Sequence, residues 1–232
     1  MSNLPFSSDN EENEALPKAL VLYLKGDYPE ALSLAEASLL EELPKDEKAL
    51  ALSICGSVHL KEYSLDDAEM ELKEALETDP SFGNNFLLTC SVWNDLSRVY
   101  EEKEEYNRAI ECMNKGLAQM KGLFGDEMIA QAYYYIADYH DRRKAEDPES
   151  IEMVVHYLDE TFKRAPMHID ALLLAGTFYG DRESGQYYNL RQAMQYFQQF
   201  MDISDGLADE NVMEQRNNIQ AWINAVKPQL ER

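Results

Sequence analysis

Apolar residues recur along this chain at three- and four-residue intervals, which is the spacing of one face of an α-helix. The pattern is most complete in Ala49–Phe82. Gly56 lies in a first helical segment, Ala68 follows twelve residues later in a second, and Pro80 closes the unit. Small residues at these points allow two antiparallel helices to approach closely. Proline ends the second helix because it lacks an N–H and its ring clashes with the preceding turn. This stretch therefore predicts one helical hairpin.

The hairpin pattern recurs through the rest of the chain. A small residue marks the centre of the first helix in each predicted unit, at spacings of 37, 41, 40 and 39 residues: Ala19, Gly56, Ser97, Ala137 and Gly176. These spacings exceed the roughly 34 residues of the tightest helical repeats, so longer helices or loops are expected. The pattern predicts about five hairpins over residues 12–207. A disordered acidic tail, residues 1–11, precedes them, and a capping helix lies within residues 208–232.

Local signals predict where several helices begin and end. Asp27, Ser64 and Asn189 each stand where a polar side chain can cap the second helix of a hairpin. Gly122–Gly125 interrupts the helical pattern after the third unit. We expect longer loops inside the fourth and fifth units than inside the first three.

The third unit carries the most specific motif. Its residues follow the pattern W-x2-L-S-x2-Y, with an alanine twelve positions after the serine: Trp93, Leu96, Ser97, Tyr100 and Ala109. Together with the spacing of Gly56, Ala68, Ala75 and Pro80, this motif resembles the tetratricopeptide repeat (TPR) family. The fifth unit, around Ala175–Tyr179, is also similar to the Sel1-like repeat.

The resemblance implies an all-α fold, a right-handed superhelical solenoid of antiparallel helix pairs. It also implies a concave groove that binds peptides or partner proteins and is lined by the first helix of each pair. Positions on that inner face give the candidate partner-binding residues: Tyr23, Ser57, Asn94, Arg98, Glu101, Tyr134, Asp138 and Arg142. The alternative is that these are ordinary solvated residues, with an Arg–Asp ion pair between neighbours.

One type of TPR ligand is disfavoured. Members that hold the C-terminal carboxylate of chaperones use lysine, asparagine and arginine side chains from three consecutive units. The matching positions here hold none of these residue types: Leu16, Leu20, Ile54, Ser91 and Asp95. We therefore do not expect binding of that kind.

The charge of the chain restricts its partners. It has 44 acidic and 21 basic residues among 232, a formal net charge of −23. Such a field repels phosphate backbones and anionic lipids, so nucleic acid and membrane surfaces are disfavoured and a basic or neutral partner is favoured. The alternative is that the acidic residues serve only solubility.

The cysteines and the apolar stretches bear on the compartment. Cys55, Cys90 and Cys112 are odd in number, have no C-x-x-C spacing and lie in apolar helical patterns, which favours free thiols and a reducing cytoplasmic setting. The N-terminus has no signal-peptide pattern, and no apolar run approaches the roughly 18 residues of a membrane span.

Catalytic motifs are not found in the sequence. It has no glycine-rich phosphate loop, G-x-S-x-G or H-E-x-x-H pattern. The run Asp138–Asp141 contains potential metal ligands, but adjacent helical residues point in different directions and do not converge on one ion. We expect no enzyme activity, cofactor or metal. The sequence favours a protein–protein interaction module, adaptor or chaperone-like. The alternatives are a self-associating assembly protein, which makes a homo-oligomer, and a peptide-sensing regulator.

Overall fold

A computed structural model describes residues 15–82, 84–120 and 122–230 of the protein. Within these ranges the chain is helical and forms no strand. The predicted tail, residues 1–11, lies outside the described residues. The chain divides into two compact units, Met1–Met120 and Lys121–Arg232, here called unit 1 and unit 2.

Unit 1 consists of three consecutive helix pairs. Its helices are α1 (Ala15–Lys25), α2 (Tyr28–Leu39), α3 (Lys45–Lys61), α4 (Leu65–Thr78), α5 (Phe86–Glu102) and α6 (Tyr106–Met120). Each odd-numbered helix packs most extensively on the helix that follows it, and α3 also contacts both α1 and α5. Unit 1 therefore contains three helix pairs, in the part of the chain where the first three hairpins were predicted.

The three hairpins of unit 1 use the same turn between their two helices. One residue in each turn has a left-handed backbone: Gly26 (φ 84°), Tyr63 (φ 59°) and Glu104 (φ 59°). The next residue donates its N–H to a carbonyl five positions earlier, an arrangement that satisfies the end of the first helix. These bonds are Asp27 N to Leu22 O (3.0 Å), Ser64 N to His59 O (2.9 Å) and Glu105 N to Tyr100 O (2.8 Å).

Helix α3 is the centre of unit 1, because it is buried on almost every side from Ala49 to Val58. A Cβ added at Gly56 would lie 2.7 Å from Cγ of Leu72 on α4. Real Cβ atoms do not approach so closely, since packed interiors have no room for an extra methyl group. The small residue predicted at this crossing is therefore required by the packing of α3 on α4.

An ionic cluster joins α4, α5 and α6. The Glu69 carboxylate accepts hydrogen bonds from Lys103 (2.6 Å), Arg108 (2.9 Å) and the Tyr100 hydroxyl (2.9 Å), and it also pairs with Lys73. Burial alone would raise the pKa of Glu69, but the hydrogen bonds from Lys103, Lys73 and Tyr100 outweigh it and lower the pKa to about 2. We call these five residues the Glu69 cluster.

Unit 2 consists of two helix pairs and a final helix. The elements are α7 (Asp126–Arg143), α8 (Glu149–Arg164), α9 (Ile169–Gly180), a 3-10 helix (Arg182–Tyr187), α10 (Leu190–Ile203) and α11 (Glu210–Leu230). Helix α7 packs on α8, α9 packs on α10, and α11 packs on α10. The fourth and fifth hairpins are thus present, and a helix follows them where the capping helix was predicted.

Aromatic side chains fill much of the interior of unit 2. A Cβ added at Gly176 of α9 would clash with the Phe197 ring of α10. On its other side, Phe197 meets the Trp222 ring of α11 edge-on, with centroids 4.9 Å apart. The Tyr196 ring stacks on Tyr179, with centroids 5.7 Å apart. The small residue at this crossing therefore makes room for a phenylalanine.

The predicted helix caps have mixed outcomes. Asn189 is confirmed, because its side chain accepts from the N–H groups of Arg191 (3.1 Å) and Gln192 (3.2 Å). Asp27 and Ser64 precede their helices, but neither side chain caps one. Their ψ angles of 71° and 70° fall short of the extended backbone that aims a cap side chain at the first N–H groups. Ser64 donates instead to the Asp67 carboxylate (2.7 Å).

Cys55, Cys90 and Cys112 are free and buried, as predicted. Burial raises the pKa of all three thiols, to about 12 for Cys55 and to about 11 for Cys112. They act as small apolar residues of the core of unit 1.

Candidate functional site

A concavity in unit 1 lies between the first helices of its three hairpins. Its volume is about 30 Å³. The walls combine apolar and hydroxyl side chains from α1, α3 and α5: Leu20, Tyr23, Leu50, Ser53, Ile54, Ser57, Leu88, Ser91 and Val92. Two of the predicted partner-binding residues, Tyr23 and Ser57, line it. We call it the unit 1 concavity.

A buried carboxylate lies beneath one wall of the unit 1 concavity. Asp95 is 6% exposed, and one of its oxygens accepts the Ser57 hydroxyl at 2.5 Å. Burial raises the pKa of Asp95, whereas the Ser57 hydroxyl and the nearby Arg98 charge act to lower it. Burial, and next the Asp95 charge, raise the pKa of Tyr23. Tyr23, Ser57 and Arg98 are thus brought together around Asp95.

Three predicted residues lie on α5 beside this group. Asn94, Arg98 and Glu101 are half-buried, and their spacing of three and four positions places them on neighbouring turns. In the part of the chain that the structure describes, Arg98 makes no hydrogen bond or ion pair. Its guanidinium interacts with Asp95 electrostatically and without a hydrogen bond, so its N–H donors remain available to a ligand.

The other predicted residues lie on α7 in unit 2. Arg142 donates from Nε to Oδ2 of Asp138 at 2.8 Å, one helical turn away. Burial raises the pKa of Tyr134, and the charges of Asp138 and Asp170 raise it further. An ion pair is therefore present, within one helix, and the assignment of Tyr134, Asp138 and Arg142 to partner binding stays a prediction.

His168 of unit 2 has a structural role that the sequence did not reveal. It precedes α9, and its Nδ1 accepts the N–H of Ala171 at 3.3 Å. Its Nε2 lies 3.2 Å from Oε1 of Gln131, and its ring centroid lies 5.2 Å from that of Tyr134. Because Nδ1 accepts, the ring proton sits on Nε2 and is donated to Gln131. The only local signal was the position of His168 one residue before a helix.

His140 is the buried histidine of the described residues. His140 lies 3.1 Å from the Ser150 hydroxyl and stacks on Tyr157. Burial, with the Arg143 charge, lowers the pKa of His140 to about 4, so the ring is neutral near pH 7. Across the described ranges, no three His, Cys, Asp or Glu side chains are placed to hold a metal ion.

The helices also bear on membrane association. Of the helices in residues 15–230 that the structure describes, none has the length and apolar character needed to cross a bilayer. The predicted cytoplasmic location stays a prediction.

Comparisons with known proteins give matches in structure. No family model matches the chain, and no curated protein matches it. The chain is similar to the 41-to-end form of MamA from Desulfovibrio magneticus RS-1, at 15% identity over 86% of this chain and 99% of that one, with a TM-score of 0.65. It is also similar to YrrB, described as a TPR protein with an unusual peptide-binding site, at 16% identity over 88% of this chain and 91% of that one, with a TM-score of 0.61. This chain has a TPR-type fold.

A third match adds to this result. The TPR-type chain is similar to the apo form of RapI at 18% identity, with a TM-score of 0.65. The likeness covers 94% of this chain and 64% of RapI. The predicted all-α array of antiparallel helix pairs is thereby confirmed at the level of fold, and the Sel1-like character of the fifth hairpin stays a prediction.

Proposed function

We propose that this TPR-type chain is a non-enzymatic protein-interaction module, adaptor or chaperone-like, that binds a peptide segment of a partner at the unit 1 concavity. The observation that carries the proposal is the convergence of α1, α3 and α5 on one concave surface. Three successive hairpins contribute to this surface, so a ligand bound there would contact several repeats at once. The peptide-binding site named for YrrB supports the same type of function.

The walls of the unit 1 concavity suit an extended peptide. Leu20 and Leu88 can pack against an apolar side chain of the peptide. Burial of apolar surface contributes a free energy of about 25 cal/mol for each Å². Tyr23 presents an apolar ring with a polar hydroxyl, a combination that is enriched in protein interfaces. Asn94 and Arg98 offer donors for the carbonyl groups of a peptide backbone, because such groups must be paired when they are buried.

The net charge of −23 favours a basic or neutral partner protein over an acidic one. Opposite charge accelerates the encounter of two proteins, and added salt weakens that effect. We therefore expect the association rate to fall as ionic strength rises, while the dissociation rate, which the apolar contacts control, changes less.

The test is selection of peptides from a random library displayed on phage, with the full chain immobilised. Enriched peptides are then synthesised and their affinities measured by fluorescence anisotropy. The Tyr23→Ala/Arg98→Ala variant removes one aromatic ring that lines the unit 1 concavity and one cation beside it. We expect its affinity for the selected peptides to fall by tenfold or more, about the loss of one strong interface residue.

The matched control is Tyr63→Ala/Lys45→Ala, which removes one tyrosine ring and one positive charge elsewhere in unit 1. Both control residues are exposed, and Tyr63 is 71% accessible. The control should bind with parental affinity, and circular dichroism should show that both variants fold. Equal affinity of the parent and the Tyr23/Arg98 variant would remove the unit 1 concavity from the proposal. A library that yields no peptide would count against peptide binding itself.

Self-association is a second candidate function, favoured by exposed apolar side chains on the first hairpin. Val21 and Leu24 of α1 are 47% and 74% exposed and stand three residues apart, hence on one face. Leu40, which follows α2, is 90% exposed. Light scattering at high protein concentration tests this candidate. A dimer that Leu24→Glu converts to a monomer would support it, and a monomeric parent chain would exclude it.

A further inference from the structure

Unit 2 contains a larger cavity outside the predicted site residues. Its volume is about 500 Å³. It lies between the start of α7, the end of α8 and the connection that leads into α9. It is open to a ligand of the size of one or two side chains, because ligand cavities in proteins begin at roughly 300 Å³. We call it the unit 2 cavity.

His168 forms a rigid part of the cavity wall. The three contacts of this ring, with Ala171, Gln131 and Tyr134, fix both its position and its tautomer. Burial lowers the pKa of His168, so the ring carries no positive charge near pH 7. A preformed wall lowers the entropy cost of binding, since it does not have to be ordered when a ligand arrives.

The one permanent cation of the wall is partly compensated. Arg164 pairs with the Glu160 carboxylate at 2.8 Å and donates to the Glu160 carbonyl at 3.0 Å. Its guanidinium also lies over the Tyr133 ring, 4.8 Å from the centroid. Because Glu160 also pairs with Lys163 at 2.7 Å, it compensates the charge of Arg164 only in part, and the stem of Arg164 contributes packing surface to the cavity.

The rim has two carboxylates that no cation compensates. Glu127 and Asp170 make no ion pair or hydrogen bond with any residue in the ranges that the structure describes. Both stand in the first turn of a helix, α7 and α9, where the helix dipole stabilises a negative charge. Their helices thus tolerate them as charged groups, and the charges remain open to a ligand.

The floor between these carboxylates is apolar. Pro166, Met167 and Ile169 line it, and Met167 is 57% exposed. Methionine is flexible and polarisable, and it adapts to apolar side chains of different shapes. An apolar floor with a negative rim is complementary to an apolar side chain that has cations beside it.

We propose that the unit 2 cavity is a second peptide-binding site, which takes a leucine-like side chain flanked in its sequence by lysine or arginine. The apolar side chain covers Met167 and Ile169, while the flanking cations approach Glu127 and Asp170. The site is independent of the unit 1 concavity. The net charge of the chain favours a basic partner, and this site specifies where in the partner's sequence the basic residues lie, namely beside an apolar residue.

The experiment uses a defined probe, the peptide acetyl-Gly-Lys-Leu-Lys-Gly-amide, titrated into the 15N-labelled full chain and followed by NMR. We expect the largest chemical-shift changes at the amides of Gln131 and of residues 167–170. A peptide with Gly in place of Leu tests the floor, and one with Glu in place of both Lys tests the rim. Each should bind about tenfold more weakly.

The protein variant is Glu127→Gln/Asp170→Asn, which removes both rim charges. Its matched control is Glu152→Gln/Glu214→Gln, which changes the net charge equally at two exposed positions of unit 2. The rim variant should lose most of its affinity for the Lys-containing probe, and the control should keep it. Equal losses in the two variants would show general charge attraction and would overturn the proposal.

Two further outcomes decide the case. Shift changes that are confined to unit 1, or no shift change at millimolar probe, would also overturn the proposal. The Tyr23→Ala/Arg98→Ala variant of unit 1 should bind the probe as the parent does. A loss of binding in that variant alone would move the probe to the unit 1 concavity, so the failure of one site is distinguishable from the failure of the other.

Discussion

The two units form the same kind of hairpin with different connections. In unit 1, three hairpins share one short turn with a left-handed residue at Gly26, Tyr63 and Glu104. In unit 2, residues 144–148 connect α7 to α8, and a 3-10 helix, Arg182–Tyr187, connects α9 to α10. The pairing of helices therefore does not depend on one turn geometry. It depends on the faces that the helices bury, as expected for elements that are stabilised mainly by tertiary packing.

The two units also differ in the chemistry that joins successive helices. In unit 1 the Glu69 cluster links α4, α5 and α6 through charged hydrogen bonds. In unit 2, aromatic side chains link successive helices. Phe197 of α10 packs against Gly176 of α9 and contacts Trp222 of α11. A repeat fold can thus be joined by contacts that respond to pH and salt or by contacts that do not.

The largest effect should come from breaking the aromatic contact of unit 2. Phe197→Ala removes a ring that is 4% exposed and that touches both α9 and α11. We expect the free energy of unfolding to fall by about 3–5 kcal/mol, the usual cost of emptying a buried phenylalanine site. Urea denaturation followed by circular dichroism measures the change. Gln199→Ala, on the exposed face of the same helix, should leave stability almost unchanged.

A smaller effect is expected from breaking the ionic contact of unit 1. Glu69→Gln keeps the shape of the side chain but removes the carboxylate that Lys103 and Arg108 share, so that Lys103 keeps only Asp66 and Arg108 keeps only Glu105 as a charged partner. The expected loss at neutral pH is about 1–3 kcal/mol, the range for hydrogen bonds to a charged group. Added salt should reduce the difference between the parent and the variant, whereas it should not reduce the effect of Phe197→Ala.

The pH dependence of the Glu69→Gln effect gives a sharper version of this test. The folded state lowers the pKa of Glu69 to about 2, while the unfolded chain protonates it near the ordinary value of roughly 4.3. The stabilisation is therefore fully present above the unfolded pKa and is lost as the pH falls from about 5 towards 2. The difference in unfolding free energy between parent and variant should shrink over that window. A difference that stays constant would show that the carboxylate charge has no part in it.

The smallest effects concern the shared turn of unit 1. At Gly26 (φ 84°), Gly26→Ala meets no neighbouring atom within 4 Å, so its cost comes from the backbone alone, about 1 kcal/mol. Glu104→Gly, at the equivalent position in the third hairpin, should act in the opposite direction and stabilise by about 0.5 kcal/mol. Thermal unfolding of both variants checks the signs. The same sign for both would mean that the two turns are not energetically equivalent.

Much of the helical framework could be predicted from the spacing of small residues. Gly56 and Gly176 were expected to mark close crossings, and each faces a side chain that leaves no room for a Cβ. Such positions can be recognised in a sequence because close packing restricts them to very few residue types. Pro80 and Gly122 likewise follow α4 and α6 closely, because both residues disfavour continuing a helix.

The contacts between repeats could not be predicted in the same way. Ser57 and Asp95 are 38 residues apart, and Glu69 and Lys103 are 34 apart. Their pairing depends on the angular register of one hairpin against the next, which no local pattern encodes. The left-handed backbones of Tyr63 and Glu104 were missed for a related reason. Neither residue favours that conformation, and the packing of the two adjoining helices imposes it.

The burial of the three native thiols has a practical consequence for experiments on this protein. A maleimide reacts with a thiolate, and both the raised pKa and the inaccessible sulfur of Cys55 and Cys112 suppress that reaction. A cysteine introduced at an exposed position such as Leu24 would react with the maleimide, while the native cysteines would react very little. A fluorophore can therefore be attached without first replacing the natural cysteines, and the native core of unit 1 stays intact.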